Sequence, residues 1–142
     1  MNPLELTVTR TIATTPEKMW QAWTTEAGLA SWLWHTWPDT RYQVDATVGG
    51  SYRIEAADHG IGVHGTYQQV RLHERLDFSG IWISGGVDGD IEQVTVIFTP
   101  DGDGTRIDLL HTGPWTTIEP VENYRQGWYF VLSALAGTAA ER

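Results

Sequence analysis

Apolar and polar residues alternate from Leu4 to Ile12, which predicts a half-buried β-strand. The signals of a helix start follow at once: Thr15 can act as the cap, Pro16 suits the first helical position, and Glu17 favours the positive end of the helix dipole. Apolar residues spaced three and four apart then predict two short helices, the first with Met19, Trp20 and Trp23 and the second with Leu29, Trp32 and Leu33.

Between residues 41 and 111 the alternation returns in segments that are bounded by turn residues. These segments predict six strands: Arg41–Asp45, Ser51–Ala57, Gly62–Leu72, Leu76–Ile83, Ile91–Thr99 and Thr105–His111. The separators are rich in glycine and aspartate, as in Gly85–Asp90 and Asp101–Gly104. Because the connections are short, consecutive strands are predicted to pair antiparallel as a meander.

A stripe of apolar residues near the end of the chain has helical spacing. Val121, Tyr124, Trp128, Val131 and Leu135 step by three and four, which predicts a helix from about residue 120 to 139, roughly 30 Å long. Its apolar face must be buried against the sheet. The predicted fold class is therefore α+β, with residues 1–142 in one domain: a curved antiparallel sheet wraps around a long C-terminal helix, and two short helices follow the first strand. A pocket is expected where the sheet does not close over the helix.

Composition and charge narrow the classes of function. The 142 residues are 41% hydrophobic and 19% charged, which is ordinary for one globular domain. The net charge is −9, and the nine lysines and arginines are scattered, so no nucleic acid or anionic membrane partner is expected. The absence of cysteine excludes disulfides and thiolate chemistry. The start of the chain does not resemble a signal peptide, and no stretch is long and apolar enough to span a bilayer, so we expect a cytoplasmic protein.

Five motifs along nearly the whole chain carry a family resemblance: Ala13–Trp20 with its Pro-Glu pair, Trp32, Asp45–Gly50, Gly104–His111, and Gly127-Trp128 with Leu132 and Leu135. Together with the order of the elements, they resemble the START-like (SRPBCC) helix-grip superfamily. Within it the chain is similar to the bacterial Aha-type group, relatives of the C-terminal domain of the heat-shock-protein ATPase activator. Thr47 stands where the family motif has arginine, so the resemblance leaves open whether this corner makes an anionic contact.

Known catalytic motifs are missing from the sequence. There is no Gly-x-Ser-x-Gly elbow, no phosphate-binding loop and no His-Glu-x-x-His. Gly49-Gly50 does not open a helix, so it indicates a turn where backbone passes closely rather than a dinucleotide site. His59 and His64 flank a hairpin turn without an obvious third ligand. Neither a cofactor nor a metal is therefore predicted.

His111 is the histidine with the strongest case for chemistry. Its strand alternates so that Ile107, Leu109 and His111 share the interior face, with His111 near the pocket mouth. There it can hold a polar ligand group or move a proton, or it can simply close the strand by bonding to nearby backbone. Asp108 lies on the opposite face, so no histidine–carboxylate pair is expected within this strand.

Collectively the aromatic residues are the best candidates for a pocket wall, although a single residue of this kind more often serves as core or lid packing than as a ligand contact. The predicted ligand-binding residues are Trp34, Trp37, Tyr52, Tyr67, Trp82, Phe98, Leu109, His111, Trp115, Tyr124 and Trp128. Trp20, Trp23 and Trp32 are assigned instead to packing between the helices and the sheet.

Three functions fit these features. The favoured one is binding of a small hydrophobic or aromatic molecule in the cavity. The second is an enzyme: the resemblance implies relatives that cyclise or dehydrate polyketide-like substrates, and His111, Tyr67 and Tyr124 are the acid–base candidates, although no histidine–carboxylate pair is visible. The third, by analogy with chaperone-ATPase activators, is a protein-interaction module, although 142 residues are too few to include the additional N-terminal domain of those activators. A homodimer is compatible with all three.

Overall fold

Seven strands form one open antiparallel sheet in the computed structural model of the protein, which describes residues 4–140 and the side chains up to residue 138. In chain order the elements are β1 (Glu5–Ile12), α1 (Pro16–Thr24), α2 (Glu26–Ala30), β2 (Thr40–Val44), β3 (Ser51–Ala56), β4 (Ile61–Arg71), β5 (Arg75–Ser84), β6 (Val87–Asp101), β7 (Gly104–Thr112) and α3 (Ile118–Ala140). The spatial order is β1-β7-β6-β5-β4-β3-β2. Strands β2 to β7 are therefore a meander, and β1 pairs with β7.

The predicted α+β helix-grip architecture is confirmed. The long helix α3 lies against the sheet, where Val121, Leu132 and Leu135 are buried in the same core as Leu6 and Val8 of β1. The two short helices follow β1 as expected; α1 contacts β6 and β7, and α2 contacts α1 and β2. Helix α2 ends at Ala30, so Trp32 and Leu33, which were predicted to lie on it, follow it in a turn. No helix within residues 4–140 is long and apolar enough to cross a membrane.

Local capping explains where the short helices begin. The Thr15 hydroxyl accepts a hydrogen bond from the Lys18 amide at 3.3 Å, and Pro16 occupies the first turn of α1. The Thr25 hydroxyl accepts in the same way from the Gly28 amide at 2.9 Å and starts α2. The predicted helix start at Thr15 is therefore confirmed.

Strand β6 begins four residues earlier than predicted. The glycine and aspartate residues of Gly85–Asp90 predict a connection of six residues, but Val87 already pairs with Ser84 of β5. Gly85 and Gly86 both have positive φ values, +58° and +79°. A two-residue hairpin turn of this kind requires φ > 0 at both central positions, which glycine allows without strain. The connection is therefore only two residues long.

The turn at residues 45–50 brings backbone segments together as predicted. A Cβ at Gly50 would lie 2.1 Å from the Asp45 carbonyl oxygen, and Gly49 has a φ of +84°. The amide of Gly49 donates to the Tyr67 carbonyl, and the Tyr67 amide donates to the Gly50 carbonyl, at 2.8 and 2.9 Å. Thr47 donates its hydroxyl to the Asp45 carboxylate at 3.0 Å. The turn at residues 45–50 is therefore held by hydrogen bonds within the turn and to the backbone of Tyr67.

Candidate functional site

A cavity of about 840 Å³ lies between the sheet, α3 and the segment that joins α2 to β2. The sheet contributes side chains from β3 to β7, and α3 contributes one face along its first half. On that face Asn123, Gly127 and Val131 follow one another at a spacing of four residues, and Tyr124 and Trp128 do the same beside them. The cavity is thus built from the unfilled space under the helix.

The cavity brings together eight of the eleven residues that are predicted from the sequence to bind a ligand. These eight are Trp34, Trp37, Tyr52, Tyr67, Trp82, His111, Tyr124 and Trp128. The other three lie outside the lining. Phe98 is buried against Trp23 under α1, and Leu109 is buried in the same core. Trp115 packs beside Tyr124, with ring centroids 5.6 Å apart.

Three tryptophans form an aromatic group at one side of the cavity. The Trp34 ring lies 5.6 Å from that of Trp37 and 5.8 Å, edge to face, from that of Trp82. His59 stacks on Trp37 at a centroid separation of 3.8 Å. Trp34 has a φ of +53°, a left-handed conformation that a bulky residue rarely adopts. Trp34 also lines the cavity, so this strained segment forms part of its wall.

A buried polar network lies at another point of the cavity wall. The Nε2 atom of His111 is 2.7 Å from the Oε1 atom of Glu92, and the Tyr124 hydroxyl donates to Oε2 of the same carboxylate at 3.2 Å. The indole Nε1–H of Trp128 donates to Nδ1 of His111 at 3.0 Å. The side chains of His111 and Glu92 are only 5% and 11% exposed. Four residues from three elements therefore meet in one hydrogen-bonded cluster.

The contacts of this cluster fix the protonation of His111. An indole nitrogen can only donate a hydrogen bond, so Nδ1 of His111 must be the unprotonated nitrogen that accepts it. The ring proton is then on Nε2 and is donated to the Glu92 carboxylate. His111 is therefore a neutral imidazole with both nitrogens engaged, and Glu92 and Tyr124 are left as the polar groups that can face a bound molecule.

Glu92 is a polar residue of the cavity wall for which the sequence alone predicts no role. No histidine–carboxylate pair was expected. His111 pairs directly with Val94 in the sheet, so Glu92, two residues from Val94 on the same face, is the diagonal neighbour of His111. The alternation along β6 predicts that Val94 faces inward, and the same alternation predicts an inward-facing Glu92. Asp108 faces away as expected, where it binds Arg106 at 3.0 Å.

Three tyrosines in and around the cavity have perturbed acidity. Burial raises the pKa of Tyr52 and Tyr67, and burial together with the negative charge and the hydrogen bond of Glu92 raises the pKa of Tyr124. The Tyr52 hydroxyl donates to the Ser79 carbonyl at 2.7 Å. All three hydroxyl groups therefore remain protonated donors at neutral pH.

His59 and His64 make contacts outside the cluster around His111. His59 stacks on Trp37, and His64 lies with its Nε2 atom 3.2 Å from a carboxylate oxygen of Asp88. Within residues 4–140, no three histidine, cysteine, aspartate or glutamate side chains are grouped so that they could hold a metal ion.

Comparisons with known proteins agree with this architecture. The chain matches the family model described as activator of Hsp90 ATPase homolog 1-like protein over residues 13–140. No curated protein matches the chain significantly in sequence.

Several solved structures share the fold. Protein CV1439 from Chromobacterium violaceum is 26% identical, with a TM-score of 0.80, and the match covers 96% of this chain and 98% of that one. The Aha1 dimer from Colwellia psychrerythraea, solved in solution, is 15% identical, with a TM-score of 0.78 and 96% of each chain covered. DynU16, a protein in the dynemicin biosynthetic locus, is 21% identical with a TM-score of 0.78. Here the match covers 93% of this chain but 45% of that one, so the present chain spans about half its length.

The family match extends over most of the chain, and the fold matches that of the Aha1 dimer subunit over nearly its whole length. The chain therefore belongs to the activator of Hsp90 ATPase homolog 1-like family of the SRPBCC helix-grip superfamily.

Proposed function

We propose that the protein binds a small aromatic or hydrophobic molecule in the cavity between the sheet and α3. The observation that carries this proposal is the cavity itself, with a volume of about 840 Å³ and a wall of aromatic and aliphatic side chains. Pockets for small molecules typically measure about 300–1,000 Å³ and combine an apolar wall with a few placed polar groups. Glu92 and Tyr124 are such polar groups here.

The aromatic wall suits a flat ligand. Trp34 and Trp82 meet edge to face, and Trp82 also lies edge to face with Tyr124, at a centroid separation of 6.4 Å. Rings held at such angles offer both faces and edges to an inserted aromatic body, and each such pair contributes about 0.5–1.5 kcal/mol beyond the burial of apolar area. A planar apolar molecule therefore gains more from this wall than a flexible aliphatic one of equal area.

Two glycines of α3 provide a matched test of this proposal. A Cβ at either Gly127 or Gly137 would meet nothing within 4 Å, but only Gly127 lines the cavity. We expect Gly127→Phe to weaken binding of the fluorescent probe N-phenylnaphthylamine at least about tenfold, equivalent to about 1.4 kcal/mol, because the new ring occupies ligand space. Gly137→Phe makes the same change on the same helix and is expected to leave the affinity unchanged. Fluorescence titration measures both.

Neither substitution should unfold the protein, because phenylalanine is a better helix former than glycine. Circular dichroism before each titration checks this. The proposal is wrong if the wild-type protein does not bind the probe saturably, or if the two variants lose affinity equally.

A second candidate, acid–base catalysis on a bound carbonyl compound, is favoured by the contacts of Glu92. Because both nitrogens of His111 are engaged, Glu92 is the group placed to accept a proton, and its hydrogen bond to His111 orients it. The Tyr124 hydroxyl is a protonated donor beside it, able to bind an oxygen atom that becomes negative when the proton leaves.

The exchange of α-hydrogens with solvent tests this second candidate. In D₂O the protein is expected to accelerate deuterium incorporation next to the carbonyl of β-tetralone, as followed by NMR. The variant Glu92→Gln should lower that acceleration at least about a hundredfold, the usual contribution of a general base. Glu122→Gln, an equal change at an exposed position outside the cavity wall, is the control. Equal rates in wild type and in Glu92→Gln would exclude the candidate.

A further inference from the structure

The buried carboxylate of Glu92 has no cationic partner among the described side chains. Its two hydrogen-bond donors are the neutral imidazole of His111 and the neutral phenol of Tyr124. Protonating His111 would place a hydrogen on Nδ1, where the indole N–H of Trp128 already points. The cluster therefore holds a net negative charge, and a buried charge without an opposite charge is costly in a protein interior.

The rest of the cavity wall does not supply the missing positive charge. Its lining contains no lysine and no arginine, while it contains a second carboxylate, Glu119, at an exposed position. The whole chain also carries a net charge of −9. An anionic ligand would therefore meet two carboxylates and no lysine or arginine in the cavity wall, whereas a cation would be attracted both at a distance and on contact.

Glu92 has hydrogen-bonding capacity that the protein leaves unused. An ionised carboxylate offers about four lone-pair sites, and the cluster occupies one on each oxygen atom. An ammonium group placed beside the carboxylate can donate to the remaining sites, and charge-assisted hydrogen bonds of this kind are about twice as strong as neutral ones. The electron-rich faces of neighbouring rings, Tyr124 and Trp82 among them, would attract the same cation.

We propose that the cavity selects a protonated amine carried on an aromatic body, with the ammonium group paired to Glu92 and the rings against the tryptophan wall. This inference rests on the proposed ligand-binding function and names the class of its ligand. The physical cause is the uncompensated carboxylate: the ligand supplies the cation that the fold omits, and in return it gains an ion pair shielded from water.

Three probes that share one aromatic ring system but differ in charge separate the effect of charge on binding from the effect of shape. Naphthylmethylamine is a cation at pH 7, naphthylmethanol is neutral and naphthylacetic acid is an anion. We expect the wild-type protein to bind the amine at least about tenfold more tightly than the alcohol, and the acid most weakly, as measured by isothermal titration calorimetry. In Glu92→Gln, which retains the shape and one acceptor, the preference for the amine over the alcohol should fall below about threefold.

The variant Glu122→Gln is the matched control, because it removes the same charge from an exposed site outside the cavity wall and should retain the wild-type preference. Equal or tighter binding of the alcohol or the acid by the wild-type protein overturns the inference but leaves the ligand-binding function standing. A preference for the amine that persists in Glu92→Gln also overturns it. If none of the three probes binds, both the inference and the proposed function fail. The wild-type comparison is decisive even if Glu92→Gln does not fold.

Discussion

The variant His111→Leu is expected to lose about 3 kcal/mol of unfolding free energy. The imidazole is nearly fully buried, and its removal takes a donor from the Glu92 carboxylate and an acceptor from the Trp128 indole at once. Leaving a buried donor or acceptor without its hydrogen-bond partner typically costs about 1–3 kcal/mol, and more when the group is charged, because the group stays buried without compensation. The apolar leucine side chain offsets part of this loss. Urea denaturation of wild type and variant measures the difference.

A double substitution tests whether the loss arises from the Glu92 carboxylate. If it does, His111→Leu combined with Glu92→Leu should be less destabilising than the sum of the single changes, since the uncompensated charge is then gone. His59→Leu serves as the control, because His59 is exposed and loses only its stacking on Trp37. Additive losses in the double variant, or an equal loss in the control, would contradict the described network.

Alkaline pH should destabilise the protein steeply above about pH 10. In the unfolded chain tyrosine ionises with a pKa near 10, whereas burial raises the pKa of Tyr52 and Tyr67 in the folded protein. Below pH 10 both states keep these protons, so their contribution to stability is fully present. As the pH rises further, only the unfolded state releases protons, and stability falls by about 1.4 kcal/mol per pH unit for each group.

For Tyr52 and Tyr67 together, the unfolding free energy is expected to fall by about 3 kcal/mol per pH unit. Tyr124 is partly solvated, so its contribution to this slope is expected to be smaller than that of either buried tyrosine. Denaturation at a series of pH values measures this slope, and absorbance at the tyrosinate band shows when the phenols ionise. Tyr52→Phe should reduce the slope by about 1.4 kcal/mol per pH unit, while Tyr129→Phe, at an exposed position, should not change it. Ionisation of Tyr52 before unfolding would disprove its burial.

The helices and strands could be predicted well from the sequence wherever one face of the helix or strand is buried. Alternation in the strands and the spacing of Val121 and Leu135 in the last helix follow directly from burial on one side, so the α+β architecture was predictable. The predicted start of β6 was wrong, because the sequence pattern indicates a longer loop that includes Gly85 and Gly86. Two adjacent glycines with positive φ are sufficient for a hairpin turn.

The site was less predictable because its parts come from different elements. The contact between Glu92 and His111 depends on the register of β6 against β7, and its closure by Trp128 depends on where α3 crosses the sheet. Trp23 and Trp32 are predicted mostly to pack between the helices and the sheet. In the structure they pack on each other, with ring centroids 4.8 Å apart, and they also line the cavity. One face of an indole ring can pack in the core while the other lines a cavity, and the sequence does not show which partner each face contacts.

The left-handed backbone of Trp34 has no signature in the sequence. Glycine or asparagine normally marks such a conformation, and here a tryptophan adopts it. The strain is set by the surrounding segment between α2 and β2, which places the ring against Trp37 and Trp82. Only the assembled structure shows that these three rings share one side of a cavity.

The central claim is that small aromatic molecules bind in the cavity under α3, and the eight indole N–H signals in a ¹⁵N–¹H NMR spectrum test it most directly. On addition of N-phenylnaphthylamine, the signals of Trp34, Trp82 and Trp128 should shift saturably, because these rings line the cavity. The signal of Trp20, which lies in the core outside the lining, should stay in place. Unchanged signals from the three lining tryptophans, or an equal shift of Trp20, would contradict the account.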